Sequence, residues 1–444
     1  WFGRGANPIA PDSDEFRSFV ADQYFKFYYP SRDPAFHDTD RNDIPDILEP
    51  SLSVFSRSRH FIQTVLGWPL PSSRLQTGSP QLDVYFIAAG KRFSGSVYME
   101  NSLHIVLNKS ILSSTDFQSL WIHQFAHAAE LSYKPSGEYW FYEATAGWME
   151  GQFQKYASST SRAQRQRFER PEVSLTDDDP VNALGASRFI ELLARPAKDV
   201  IRQTWEQWSY SRDAKVMEVL GNVLTLNHLP SLNSQLQNYF LTFPKSSFKR
   251  ADEAEYEVQP YAAALLRGDG DDDSGGMKLQ FLPSTQSNYS TSTMFFPKGE
   301  KSGILSMKLA LEGPSSIMIP FAGLDYFRYV LVNGSAELLR GELRKENDSS
   351  IPGSLEYFKV VPEEKGVLIE WKTARENGVA FWNLYRVRDG QKEKLNAFPI
   401  PASIQSEEGI HYIFYDSSSS SFYSLEAITS EGFPSPLGNS EPSQ

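Results

Sequence analysis

The hydrophobic pattern of the sequence changes near residue 250, and this change limits the folds open to the 444-residue chain. Before it, apolar residues recur at helical spacing, for example in LSVFSRSRHFIQTVLG and in FRSFVADQYFKFY, which we interpret as helices. The shorter runs DVYFIA and HIVLN are typical of strands in a small sheet. After residue 250, strand-like runs such as SGILSMKLAL and DYFRYVLVNG lie between turn signals, without a pattern of helix length.

This organisation predicts a multidomain protein with a mostly α (α+β) domain at residues 1–249, followed by two all-β sandwich domains. The first β domain, residues 250–352, is a β-sandwich or is jelly-roll-like. In the second, residues 353–444, VLIEWKT alternates as a strand with one buried face requires. With Tyr423 in FYSLEAITSEG, this segment resembles a fibronectin type III module, in which such a Tyr forms a corner bond and a Trp, here Trp371, anchors the core.

Composition excludes several classes of function. The net charge is −12, from 43 basic and 55 acidic residues, which argues against nucleic acid or an anionic membrane as the main partner. The chain has 0 Cys, so disulfides, thiolate nucleophiles and cysteine zinc sites are impossible. No apolar run approaches the ~20 residues that span a bilayer. We expect an exported bacterial protein (secreted, periplasmic or surface-associated), mainly because the tail is modular, and we expect it to be a monomer.

The segment HQFAH places two histidines, His123 and His127, at i and i+4. On a helix these positions share one face, so two imidazoles can hold one metal ion. Thr115 and Gln118 form a capping-box pattern, which predicts a helix that starts near Asp116. The alternative is that the histidines are core or surface residues bonded to backbone carbonyls.

A second helix is predicted at YWFYEATAGWMEGQF, residues 139–153, after a short loop. It carries Glu143, sixteen residues after His127, where its carboxylate can reach the same ion. Glu150, two turns further on, is placed to accept a hydrogen bond from a ligating imidazole. The alternative is an amphipathic packing helix with incidental acids. Close approach of this helix to a neighbour is favoured by three small residues, Ala144, Ala146 and Gly147.

HQFAH followed by WFYEATAGWME resembles the gluzincin metallopeptidases, which bind zinc with H-E-x-x-H and a Glu from the next helix. The chain is particularly similar to bacterial secreted metalloproteases in which a D-x-D-x-N-x-x-P-D segment precedes the zinc helix and β domains follow it. DTDRNDIPD at 38–46 matches that segment. The resemblance implies a zincin-like domain, with His123, His127 and Glu143 as zinc ligands and a peptide or protein as substrate.

Gln124 departs from this family, because it stands where the glutamate acts as general base. A carboxamide can orient a water molecule but cannot take its proton. We therefore expect zinc binding to survive and catalysis to fall by ~10²–10⁴-fold. Either the protein is a natural pseudo-peptidase, or the sequence carries a deliberate inactivating change. Neither Glu130 nor Glu138 has the offset that a replacement base needs.

Three classes of function remain open at this point. The first is a zinc metallopeptidase-related protein whose ancestral reaction is peptide-bond hydrolysis by zinc-activated water. The second is a non-catalytic exported binding or adhesion protein on a pseudo-peptidase scaffold. The third is a structural protein that holds no metal. Metal content separates the third class from the others, and peptidase activity separates the first from the second.

DTDRNDIPDILE also has the spacing of a calcium loop. Asp43 stands where an EF-hand loop has Gly, which weakens that geometry but leaves an acidic oxygen cage possible. The alternative is an acidic capping turn before a helix at Ile47. The tentative calcium ligands are Asp38, Asp40, Asn42, Ile44 through its carbonyl, Asp46 and Glu49.

Overall fold

The computed structural model describes residues 16, 18–71, 81–90, 93–99, 102–154, 158–250, 254–269, 276–284, 289–297, 307–310, 315–320, 324–347, 354–363, 366–376, 379–388, 391–402, 410–417, 422–429 and 434–440. The chain is mixed α and β and forms two compact units. The first unit is Trp1–Ser247 with Val258–Ala264 and Val332–Leu338. The second is Phe248–Glu257, Leu265–Leu331 and Leu339–Gln444. Two short segments of the predicted 250–352 domain therefore belong to the helical unit.

A five-stranded sheet forms one layer of the first unit, in the order β1-β2-β3-β5-β4. The pairs β2–β3 and β3–β5 are parallel, whereas β1 and β4 run antiparallel to their neighbours. β4 is therefore an edge strand among the described residues of this sheet. The strands are β1 Ser18–Ala21, β2 Phe25–Tyr29, β3 Leu82–Ile87, β4 Gly95–Met99 and β5 Leu103–Asn108.

Helices make up the rest of the first unit. A π-helical segment, Phe61–Val65, continues the first helix, and short 3-10 turns occur at Pro34–Phe36, Lys109–Ser113 and Lys245–Ser247. The α-helices are α1 Glu49–His60, α2 Phe117–Tyr133, α3 Tyr139–Phe153, α4 Ser158–Glu169, α5 Pro180–Gly185, α6 Ser187–Ala194, α7 Asp199–Tyr210, α8 Val216–Leu226 and α9 Leu232–Leu241.

The helix predicted at FRSFVADQYFKFY is wrong, because this segment forms β1 and β2. Asp22 makes the turn between them by accepting hydrogen bonds from the backbone N–H groups of Tyr24 and Phe25, both at 2.7 Å. Phe25 and Phe27 are buried at period two. Since alternate residues of a strand share a face, these two rings reach one core, and the apolar spacing that suggested a helix belongs to a strand.

The sheet and helices of the first unit pack through aromatic side chains. Trp121 and Phe125 of α2 lie 5.6 and 5.4 Å from the ring of Phe25. Phe55 of α1 contacts Trp121 edge to face, with the ring centroids 4.5 Å apart. The indole of Trp121 donates a 2.8 Å hydrogen bond to the buried hydroxyl of Ser58. α2 also lies against β4 and β5, so this helix is fixed between the sheet and α1.

The second unit is built from β-strands. Its sheets run in the orders β11-β10-β13-β8-β6, β12-β9-β14-β7, β15-β16-β20 and β18-β17-β21-β22, with β19 paired to β17. The strands are β6 Lys249–Arg250, β7 Ala254–Val258, β8 Ala263–Asp269, β9 Gly276–Pro283, β10 Tyr289–Pro297, β11 Met307–Ala310, β12 Ser315–Pro320, β13 Leu324–Asn333, β14 Leu339–Asn347, β15 Ser354–Glu363, β16 Gly366–Arg375, β17 Val379–Arg388, β18 Gln391–Lys394, β19 Ile400–Pro401, β20 His411–Asp416, β21 Phe422–Thr429 and β22 Pro434–Ser440.

The strands β15 to β22 share one buried cluster, to which both of their sheets contribute. Trp371 comes from one sheet, and Trp382 and Tyr423 come from the other. The Tyr423 hydroxyl donates a 2.8 Å hydrogen bond to the carboxylate of Asp416, which also pairs with Arg386. The tyrosine therefore bonds to a side chain seven residues upstream, at a carboxylate that is also paired with an arginine.

Candidate metal centre

α2 and α3 bring the predicted ligands together, and a five-residue loop at 134–138 joins the two helices. The predicted capping box is wrong. Asp116 is the N-cap and makes no side-chain capping bond, while Ser114 Oγ accepts from the Asp116 backbone N–H at 3.1 Å. Gln118 instead accepts a 3.0 Å hydrogen bond from Arg57. The start of the helix was predicted correctly, but the residues that hold it in place were not.

Of the small residues predicted to allow close packing of α3, Gly147 lets the helix pack closely against α5 and α6. A Cβ at Gly147 would lie 3.0 Å from Leu184 Cδ1 and 3.0 Å from Ser187 Cβ. The residues of α3 from Ala144 to Glu150 are buried.

His123, His127 and Glu143 each present a ligand atom, and the three atoms lie within 4.8 Å of one another. The Nε2 atom of His123 is 3.4 Å from one oxygen of Glu143, and the Nε2 atom of His127 is 3.6 Å from the other. The two imidazole rings are perpendicular, with centroids 4.7 Å apart. All three side chains are buried, so the cluster is a convergent arrangement and not a chance grouping on the surface.

A further carboxylate contacts the outer nitrogen of each histidine. His127 Nδ1 lies 2.8 Å from Glu130 Oε2, and His123 Nδ1 lies 3.5 Å from Glu150 Oε2. Because each Nδ1 faces an acceptor, each Nε2 is the nitrogen left to bind a metal. The role of Glu150 was predicted from the sequence, whereas that of Glu130 was missed. The i+3 spacing of Glu130 from His127 on one helix could have indicated this contact.

The pKa directions differ among the residues of the cluster. Burial lowers the pKa of His123, but Glu143 and Glu150 outweigh burial and raise it above the usual value. Burial holds the pKa of His127 well below its usual value, and burial raises that of Glu130 well above its own. Burial would raise the pKa of Glu143, but the neighbouring histidines help to lower it. Glu143 and His127 thus favour the protonation states that a metal requires, whereas a metal would have to displace the proton that the two carboxylates favour on His123.

The distances between the donors fit a zinc ion. Tetrahedral ligands at ~2.0–2.1 Å from zinc lie roughly 3.3–3.4 Å apart, close to the 3.4 and 3.6 Å separations between His123, His127 and Glu143. The Oε1 atom of Gln124 is buried and accepts no hydrogen bond from the described residues. The three side chains can therefore hold a metal ion.

Gln124 also lies against the sheet. A Cβ on Gly95 of β4 would come within 3.3 Å of Gln124 Cγ and within 2.7 Å of Leu107 Cδ2. Glycine thus lets the edge strand approach the helix at the residue that replaces the general base.

The candidate calcium loop forms a compact acidic turn at residues 38–49. Ligand atoms of Asp38, Asp40 and Asp46 lie within 4.8 Å of one another. The side-chain amide of Asn42 donates to Asp40 and to Glu49, which brings the first and last parts of the loop together. The backbone of Ile44 donates a 2.9 Å hydrogen bond to the Asn42 side chain, while its carbonyl is not placed relative to an ion.

Asp43, which stands where an EF-hand loop has glycine, adopts a backbone conformation typical of glycine. Asp43 has φ 67° and Arg41 has φ 61°, both in the left-handed region. Asp38 stabilises the turn by accepting the backbone N–H groups of Asn42 and Asp43 at 3.2 and 2.9 Å. Burial, together with the neighbouring Asp38 and Glu49, raises the pKa of Asp40, as expected where carboxylates crowd together.

No helix in the described part of the chain combines the length and apolarity needed to cross a membrane. No family model matches the sequence, and no curated protein matches it either. Among solved structures, the chain is similar to the Spr0440 glycoside hydrolase domain, Endo-D, from Streptococcus pneumoniae R6. That match has 9% sequence identity and a TM-score of 0.15, and it covers 43% of this chain and 32% of that chain.

Proposed function

We propose that the protein is a gluzincin-related zinc protein in which Gln124 replaces the general base of a peptidase. The convergence of His123, His127 and Glu143, with Nε2–oxygen distances of 3.4 and 3.6 Å, carries this proposal. Two histidines and one carboxylate with one position left open for water is the ligand set of catalytic zinc sites. The carboxylates behind the histidines support the same reading, because outer carboxylates of this kind orient ligating imidazoles.

A bound zinc ion would lower the pKa of a coordinated water molecule and polarise a scissile carbonyl. Gln124 can accept a hydrogen bond from such a water molecule through Oε1. It cannot accept the proton, because a carboxamide has no basic site near neutral pH. The residues of this chain therefore support metal binding and orientation of water, whereas transfer of a proton to a leaving nitrogen has no group to perform it.

An extended peptide is the substrate or ligand that the surroundings of Gln124 favour. β4 is an edge strand among the described residues, and Gly95 lies in contact with the Gln124 side chain. An edge strand can bind an extended segment through backbone hydrogen bonds, largely irrespective of sequence. The backbone of a peptide bound beside β4 would pass next to the metal cluster, which supports a peptide or protein as the partner.

We also propose that the protein is modular and exported. The sheets β11-β10-β13-β8-β6 and β12-β9-β14-β7 support a first β-sandwich. The core shared by the two sheets of β15 to β22 supports a second, fibronectin type III-like one. We also propose that calcium binds among Asp38, Asp40, Asn42, Asp46 and Glu49, because crowded carboxylates need a cation to offset their repulsion.

The decisive experiment compares the protein with Gln124→Glu. The change scarcely alters side-chain volume and supplies the missing base, so cleavage of an unstructured protein should rise by at least ~10²-fold. A Gln124→Glu, His127→Ala double variant and a chelator are the controls, since both remove the metal. Equal, chelator-sensitive activity with and without the substitution would show that another residue is the base.

A non-catalytic binding platform is the second candidate, and Gln124 itself favours it. In that case both forms hold zinc, neither cleaves, and the protein still binds extended peptides. A peptide-binding measurement with and without zinc separates this outcome from a simple loss of function. Absence of zinc after soaking would remove both candidates and favour a structural protein.

A further inference from the structure

The two carboxylates that face the histidines are held in different ways. Glu130 stands three residues after His127 on α2, and the geometry of one helix sets their 2.8 Å contact. Glu150 belongs to α3 and His123 to α2, and Glu150 Oε2 lies 3.5 Å from His123 Nδ1. This second contact crosses between two helices and is near the upper limit of length for a hydrogen bond. It therefore depends on what fixes the side chain of Glu150.

The hydroxyl of Thr160 contacts the same oxygen of Glu150. Thr160 Oγ1 donates a 2.9 Å hydrogen bond to Glu150 Oε2, the atom that faces His123. Thr160 is 1% exposed and Glu150 is 2% exposed. Because water scarcely reaches either side chain, it does not compete for this bond, and a hydrogen bond to a carboxylate is stronger in a buried site than in water. Thr160 therefore helps to set the position of this oxygen.

The place of Thr160 in α4 turns its hydroxyl towards α3. Thr160 stands in the first turn of the helix. A threonine further along a helix can bond back to the carbonyl four residues earlier, as Thr204 of α7 does with Val200 at 2.7 Å. For Thr160, the residue four positions earlier precedes the helix, and the hydroxyl bonds to Glu150 instead. Branching at Cβ restricts the side chain to few rotamers, which keeps the hydroxyl directed at the carboxylate.

Close packing fixes α4 one turn after Thr160. A Cβ on Gly185 of α5 would lie 2.7 Å from the backbone oxygen of Ala163, so the glycine allows the two helices to approach closely. Ala163 and Gly185 are both buried. The contact between them involves none of the proposed zinc ligands. The hydroxyl of Thr160 is thus carried by a helix whose position is set by its packing against α5.

We propose that Thr160 is a positioning residue for the proposed zinc centre, because its hydroxyl holds Glu150 Oε2 towards His123 Nδ1. With Nδ1 directed at this oxygen, Nε2 of the same ring faces Glu143 at 3.4 Å. The inference rests on the proposed function, and it adds a residue that acts through Glu150 and not as a ligand. Loss of a group behind a ligating histidine costs roughly 10–100-fold in metal affinity, so loss of a hydroxyl one step further out should cost about threefold to tenfold.

The test is the zinc affinity of Thr160→Val, measured by competition with a chromogenic chelator. Valine keeps the shape of threonine and removes the hydroxyl, so affinity should fall about threefold to tenfold, and Thr160→Ser should restore most of it. Thr204→Val is the matched control, since it removes a similarly buried hydroxyl that bonds within its own helix. Its zinc affinity should equal that of the unaltered protein. Melting temperatures in chelator compare the stability that the two variants lose.

A double-mutant cycle shows whether Thr160 acts through Glu150. In a Glu150→Leu background, Thr160→Val should leave zinc affinity unchanged, because the carboxylate that the hydroxyl positions is already gone. The absorption spectrum of the cobalt(II)-substituted protein is a second readout, since it responds to the geometry of the ligands. This spectrum should change in Thr160→Val and stay the same in Thr204→Val.

Absence of zinc from the unaltered protein would remove the proposed function and this inference with it. Zinc bound with equal affinity by the unaltered protein and by Thr160→Val would overturn the inference alone. An equal fall in Thr160→Val and Thr204→Val would also overturn it, because the loss would then come from general destabilisation. If Thr160→Val does not fold, Thr160→Ala and Thr160→Ser replace it. A lower affinity in the alanine variant alone supports the inference, and equal affinities in the two reject it.

Discussion

His127 Nδ1 and Glu130 Oε2 lie 2.8 Å apart, and both side chains are 0% exposed. The proposed metal ligand and the carboxylate that contacts it therefore belong to one helix, three residues apart. The arrangement requires no other element to fold before the imidazole is aimed. It also encloses an acid whose pKa burial raises well above its usual value.

Removing a ligand should abolish metal retention. His127→Ala takes away one of three donors, so the purified variant should hold no zinc after dialysis, while the unaltered protein retains close to one equivalent. Atomic absorption gives the content directly. His411→Ala, which changes an exposed histidine on β20, should leave it unchanged. Full zinc content in the His127 variant would mean that the metal is held elsewhere.

Glu130, the carboxylate that contacts His127, should affect the affinity for zinc although it is not itself a ligand. Glu130→Leu removes the acceptor for His127 Nδ1 and should lower zinc affinity ~10–100-fold. Glu130→Gln keeps a carbonyl oxygen that can accept, so its loss should be smaller. Competition with a chromogenic chelator measures both. Unchanged affinity in the leucine variant would show that the 2.8 Å contact has no role in metal binding.

The metal-free protein should show a pH dependence that comes from Glu130. Its folded-state pKa lies above 4.5, so the folded state binds a proton more tightly than the unfolded state does. Its contribution to stability is therefore present below about pH 4.5 and is lost as pH rises through the folded-state pKa. Without metal, Glu130→Gln should raise Tm more at pH 8 than at pH 4.5. A gain independent of pH would contradict this linkage.

Calcium should stabilise the acidic loop. Tm should rise with the logarithm of free calcium above its Kd, because the folded loop gathers carboxylates that the unfolded chain separates. Asp40→Asn should reduce the response, whereas Glu169→Gln, which changes an exposed acid on α4, should preserve it. A Tm unaffected by millimolar calcium would leave the loop as a capping turn before α1.

The C-terminal strands should fold without the rest of the chain. Among the described residues, the members of the cluster around Trp371 all lie between 355 and 427, so a fragment from residue 354 to 444 contains the whole of this cluster. It should unfold cooperatively, and Trp371→Ala should cost about 3–5 kcal/mol. Ile413→Ala, at a position 60% exposed, should change little. A fragment that lacks β-structure by circular dichroism would rule out the boundary.

The metal cluster was predictable because its residues lie on two regular helices at local spacing. The i, i+4 histidines required only helix geometry, and the short loop limited where Glu143 could go. FRSFVADQYFKFY was wrongly predicted as a helix, because its many aromatic residues match both the helical period and the period of two of a strand. The turn that Asp22 makes decides in favour of two strands. The bond from Tyr423 to Asp416 could not be predicted either, because it depends on which side chains two sheets enclose together.

The conformation of Asp43 shows a different limit of sequence reasoning. A missing glycine argued against the calcium-loop geometry, yet Asp43 adopts φ 67°. Aspartate tolerates the left-handed region better than most residues. The surrounding hydrogen bonds to Asp38 hold the turn in this conformation, and they involve neighbours that a position-by-position comparison with a motif does not weigh.

Thr160 of α4 donates a 2.9 Å hydrogen bond to Glu150, the carboxylate that faces His123. The series of side-chain contacts from His123 through Glu150 to Thr160 thus ends on α4, a helix that supplies none of the proposed ligands. During biosynthesis, a ribosome-bound chain that has emerged only through α3 already carries the three proposed zinc ligands but lacks this support. If these residues bind zinc as proposed, firm zinc capture should follow the docking of α4, which would make metal loading a late step in the maturation of the helical unit.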